Sequence, residues 1–66
     1  MQVEIEQEDD GRWIAEVPSI PGAMVYAPSK AEAVSKVQVL VLRLIADKVE
    51  HGEKVPQIAE VFSVAV

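Results

Sequence analysis

Apolar and polar residues alternate at the start of the chain. Val3, Ile5 and Gln7 share one phase, and Glu4, Glu6 and Glu8 share the other. A period of two predicts a half-buried strand. Asp9-Asp10-Gly11 follows, a turn sequence in which glycine supplies a positive φ at little steric cost. A second alternating stretch sets Trp13, Ala15 and Val17 against Arg12, Ile14 and Glu16, so the first two strands read as a hairpin. Pro18 ends the second strand, since it has no N–H to give the ladder, and 18–22 reads as a stiff loop. A third strand is predicted over about 23–27, closed by Pro28.

At Ser29 the period changes. Ser29 with Glu32 three places later forms a capping box, and Ala33, Val34, Val37, Leu40, Val41, Leu44 and Ile45 then recur at helical spacing. Gly52 suits the position just past a helix end, and Pro56 lies beyond it. The helix predicted between Ser29 and Gly52 is roughly 30 Å long at about 1.5 Å per residue. On a wheel Glu32, Lys36, Arg43, Asp47 and Glu50 fall in one narrow strip. Ala33, Val37, Leu40, Val41 and Leu44 make an apolar stripe assigned to the sheet. Ala31, Val39, Leu42, Ala46 and Val49 make another on the far side. A helix apolar nearly all round is normally buried nearly all round, so the second stripe is expected to be a protein interface.

Beyond Gly52, Ile58, Glu60, Phe62, Val64 and Val66 alternate with Ala59, Val61, Ser63 and Ala65, and both sets are mostly apolar. This predicts a last strand, buried on both faces or paired with another chain. The order is then β-β-β-α-β, an α+β two-layer sandwich of an antiparallel sheet and one long helix, with 1–66 forming a single domain.

Composition changes that picture in three ways. A chain of 66 residues without cysteine has no disulfide or thiolate site to staple it, and one core of this size supplies only a few kcal/mol. Half of its residues are hydrophobic, which points to a homo-oligomer, a dimer or tetramer, through Val39, Leu42, Ala46, Val49, Phe62 and Val64. The net charge of −5 has a location: Glu4, Glu6, Glu8, Asp9 and Asp10 lie in the first ten residues with no base among them, and elsewhere the charges cancel. Such an edge attracts basic proteins and repels nucleic acid. The N-terminus is polar and acidic, unlike a secretory signal, and apolar runs such as Val39–Leu42 are far too short for a bilayer. A cytoplasmic protein without membrane contact is expected.

Candidate chemistry is sparse. Among the serines, Ser29 is committed to capping, and there is no threonine or cysteine. His51 sits at the helix C-terminus, where an imidazole suits the dipole. Glu50, His51 and Glu53 diverge on a helix end and make a poor metal site. Asp9 and Asp10 are the carboxylates that metal-assisted hydrolysis would need, but they stand where turn chemistry alone would put them. No glycine-rich phosphate loop and no basic cluster interleaved with aromatics is present. Trp13 reads as a core anchor with its indole N–H at the rim. No enzyme activity, cofactor or metal is expected.

The run from Asp10-Gly11-Arg12-Trp13-Ile14-Ala15-Glu16-Val17-Pro18 through Pro21-Gly22 resembles the HicB family of antitoxins. Pro18, Pro21, Gly22, Glu32, Ala33, Gly52 and Pro56 match the family pattern, which covers about residues 1–57. Ala23 stands where a cysteine or another small residue is frequent. Ala27-Pro28-Ser29 replaces Gly-Asp-Thr and keeps the hydroxyl cap but not the acid. Lys36 stands near a usual asparagine. The resemblance implies a partial RNase H-like fold without nuclease carboxylates. It also implies a partner, a small basic HicA-type toxin that cleaves mRNA and is neutralised by binding. Longer members append a DNA-binding domain. None is expected in this sequence, which puts operator binding in doubt. On this reading Glu4, Glu6, Glu8, Asp9 and Asp10 steer toward the toxin. The alternative is a self-associating small-ligand or scaffold domain without a toxin partner. A third reading, a degenerate nuclease, predicts metal-dependent RNA cleavage lost in Asp10→Asn.

Overall fold

The computed structural model describes residues 1–65. Its elements are β1 (Glu4–Gln7), β2 (Trp13–Glu16), β3 (Met24–Ala27), α1 (Lys30–Glu50) and α2 (Ile58–Val61). The strands form one antiparallel sheet in the order β1-β2-β3, and α1 packs across one face of it, mainly over β2 and β3. The α+β arrangement of three strands and a long helix is the predicted one.

Each junction has a local cause. Gly11 N–H donates to the Glu8 carbonyl at 3.0 Å, Glu8 N–H to the Arg12 carbonyl at 2.7 Å, and Gly11 sits at φ 92°. This is a type I turn closed by a glycine bulge. Between β2 and β3, Ile20 N–H returns to the Val17 carbonyl and Ala23 N–H to the Ile20 carbonyl. The second of these turns has Pro21 then Gly22 at its centre, with Gly22 at φ 85°; this is the type II pattern, which demands a positive φ at its third residue.

Ser29 caps α1: its backbone is extended and its Oγ accepts the Glu32 N–H at 3.2 Å. The other end is a Schellman motif. Glu53 N–H donates to the Lys48 carbonyl and Gly52 N–H to the Val49 carbonyl, with Gly52 at φ 75°. The left-handed residue reverses the chain and satisfies two carbonyls that the helix leaves open. His51 Nδ1 also lies 2.7 Å from the Asp47 carbonyl, which already accepts the His51 backbone N–H.

The core is Ala15, Val17, Ile20, Ala23, Ala27, Ala33, Val37, Val41 and Ile45. Four of these are alanines, and Val37 is the largest side chain fully enclosed. Small residues let the helix approach the sheet closely but bury little area. In α1 the buried positions recur every fourth residue, at Ala33, Val37, Val41 and Ile45. Leu40 and Leu44 are half-buried beside them.

Among the described residues the fourth strand is not formed. Ile58–Val61 is a short helix, started by a turn at Val55-Pro56 in which Ile58 N–H donates to the Val55 carbonyl and Ala59 N–H to the Pro56 carbonyl. Proline is well placed there because its missing N–H is not needed in a first turn. Val55 and Ile58 pack against the core. Gln57 Nε2 donates to the Ser19 carbonyl at 3.1 Å, and the N-terminal ammonium meets Glu60 at 3.4 Å. Docking of Ile58 on the core therefore wins over strand pairing. From Phe62 to Ala65 the chain is exposed; Val66, the end of the predicted strand, lies outside the described residues. The radius of gyration is 13.7 Å, against about 11 Å for a compact chain of this length.

Candidate interaction face

Strand alternation sends successive side chains to opposite faces. Ile5, Trp13, Ala15, Val25 and Ala27 turn toward α1 and join the core cluster. Among the described residues the opposite face carries no second layer. Its rows follow the register: Glu4 opposite Glu16 and Glu16 opposite Met24, then Glu6 opposite Ile14 and Ile14 opposite Tyr26. The face is thus a half-buried Ile14 and exposed Met24 and Tyr26, rimmed by exposed Glu4, Glu6 and Glu16. A shallow depression of about 160 Å³ lies among Glu4, Glu6, Ile14 and Glu16, smaller and more open than a small-molecule pocket of roughly 300–1,000 Å³.

Glu4 and Glu16 are cross-strand partners of like charge, a pairing that destabilises a sheet. Among the described residues neither they nor Glu6 and Glu8 form an ion pair. Arg12 stands at the end of this face, 4.7 Å above the Tyr26 ring centre, a cation–π distance. Its Nε donates to Asp10 Oδ2 at 2.7 Å, and its backbone N–H donates to Asp10 Oδ1 at 3.1 Å. These bonds, the backbone one foremost, hold the Asp10 carboxyl below its ordinary range. Asp10 and Arg12 neutralise each other, so the surplus charge of the face is that of the glutamates.

The sequence-predicted acidic residues therefore divide. Glu4 and Glu6 lie on the open face. Glu8 is half-buried where the turn begins, Asp9 is exposed in the turn, and Asp10 is engaged by Arg12. Glu16 was not among them, yet it completes the face. The signal for it was the alternation that places it beside Arg12 and Ile14, combined with a turn that sets it against Glu4. The predicted oligomer residues Val39, Leu42, Ala46 and Val49 form an exposed stripe on the solvent side of α1, and Phe62 and Val64 are exposed in the tail.

No group of three His, Cys, Asp or Glu side chains placed to hold a metal occurs among the described residues. No described helix is long and apolar enough to cross a membrane.

The chain is similar to UPF0150 protein Ta0767 of Thermoplasma acidophilum, at 29% identity over 53 residues, which span 80% of this chain and 77% of that protein. No protein-family model matches the chain, and no solved structure matches it significantly.

Proposed function

We propose that this chain is a HicB-like antitoxin, a cytoplasmic protein that binds and neutralises a small, basic HicA-type mRNA-cleaving toxin by stoichiometric association. The observation that carries the reading is the open sheet face. It combines an apolar centre (Ile14, Met24, Tyr26) with a rim of glutamates that have no partner within the described chain. Retaining a repulsive Glu4–Glu16 pair is costly unless a cation from elsewhere comes to lie between them. The strand and helix order and the Pro-Gly turn of the family pattern support the same reading. Charge of this kind speeds encounter and suppresses wrong partners more than it adds affinity; the apolar centre supplies buried area.

The test is co-expression with the product of the neighbouring gene, followed by affinity purification and an RNA-cleavage assay. A co-purifying small basic protein whose cleavage is silenced by this chain is the expected result. The triple variant Glu4→Lys, Glu6→Lys, Glu16→Lys should lose the complex while keeping its circular dichroism. A clean homo-oligomer with no rescue of a toxic neighbour would favour the second reading, a self-associating scaffold or small-ligand domain, which the exposed stripe on α1 supports.

A further inference from the structure

The solvent side of α1 exposes Val39 at 47%, Leu42 at 65% and Val49 at 49%, with Ala46 between them. Their spacing is three, four, three, the a-d-a-d pattern of a coiled-coil seam two heptads long. We propose that this seam is a homodimer interface, closed by the same seam of a second copy running antiparallel.

The occupant follows from how the stripe matches itself. With a two-fold axis at Leu44, Val39 faces Val49 of the second copy and Leu42 faces Ala46 of the second copy. All four positions are used, large against small in the middle, and each contact recurs through the symmetry, as an isologous interface requires. The flank agrees: the same axis brings Lys36 beside Glu50 of the second copy, twice. Arg43 meets its own copy at the rim, where its stem is free to splay into water. A parallel pair would set Lys36, Arg43 and Glu50 against Ala31, Gln38 and Ile45, with no charge compensation. Antiparallel packing also opposes the two helix dipoles favourably.

Two further observations favour a second copy on this face. The sheet face is acidic, so two copies repel one another there, whereas the stripe carries no charge. The core contains four alanines, and Val37 is its largest fully enclosed side chain, so burying a second seam adds apolar area that the monomer lacks. The stripe lies on the side of α1 away from the sheet, so the dimer leaves the acidic face free, and the inference does not depend on the toxin reading.

The seam is small, so the dimer should be weak and concentration-dependent. Sedimentation equilibrium up to about 100 μM chain should show a mass rising from 7.2 kDa toward twice that value. Leu42→Glu, at an exposed position, should keep its helical circular dichroism and raise the dissociation constant at least about 100-fold by placing a carboxylate in the seam. Because the chain has no cysteine, orientation is readable by disulfide trapping. A mixture of Val39→Cys and Val49→Cys chains should cross-link with each other in preference to themselves. A wild type monomeric throughout, a Leu42→Glu chain that dimerises as well as wild type, or traps dominated by 39-to-39 bonds would each overturn the proposal.

Discussion

Asp10 shows how a single side chain can be taken from function by its turn. Both of its oxygens are engaged by Arg12, and its pKa lies below the ordinary 3.8. A depressed carboxylate stabilises the fold above its unfolded pKa, and that contribution fades as pH falls through the folded value. Asp10→Asn should therefore melt below wild type at pH 7. The gap should close in acid below the ordinary carboxylate value, as thermal melts across that range would show. Glu16 is the opposite case. Glu16→Lys turns the cross-strand pair with Glu4 into an attraction, expected to raise stability by about 0.5 kcal/mol in urea melts. On the antitoxin reading it should at the same time slow association with a basic partner, an effect read by stopped-flow mixing at low and high salt.

At the scale of elements, α1 rests on its first turn and its buried row. Ser29→Ala removes the oxygen that holds the Glu32 N–H and should cost about 1 kcal/mol. Val37→Ala opens a void at the centre of the core and should cost about 2 kcal/mol. The two sites are separated by two turns, so chemical denaturation of the double variant should give the sum. These elements were legible because their signals are redundant: serine with glutamate at the start, a four-residue apolar row, glycine at the end. The first hairpin was legible through its two alternations and the Asp-Asp-Gly turn. The C-terminal strand failed for a physical reason. From Ile58 onward both alternating sets are apolar, so a period of two does not say which face is buried, or whether any is. Pro56 marked the start of a helical turn, and the fit of Val55 and Ile58 against the core decided the matter. That is a tertiary contact absent from any local pattern. The acidic face was half legible: Glu4 and Glu6 lay in one run, while Glu16 joined them only through strand register.

The whole molecule sets two unlike surfaces back to back. One is a sheet face with an apolar middle and a carboxylate rim; the other is a neutral, ridged helix. The layer between them is thin, since the core is mostly alanine and valine, so whatever binds either surface adds a large share to the stability of the whole. A complex at either surface should therefore melt well above the free chain, and more so at higher concentration. The charge layout keeps the two events apart, because the glutamates stand on the sheet and the seam holds none.

The strand order has a consequence for kinetics. Every strand pairs only with its neighbour in sequence, and α1 follows immediately after β3. Without a returning fourth strand, no ladder among the described residues has to close a loop spanning the helix. Contacts this local place the chain among fast folders, in the millisecond range or below. Truncation after Val61 should leave the refolding rate within about twofold of wild type, because residues 62–65 are exposed and join no ladder among the described residues.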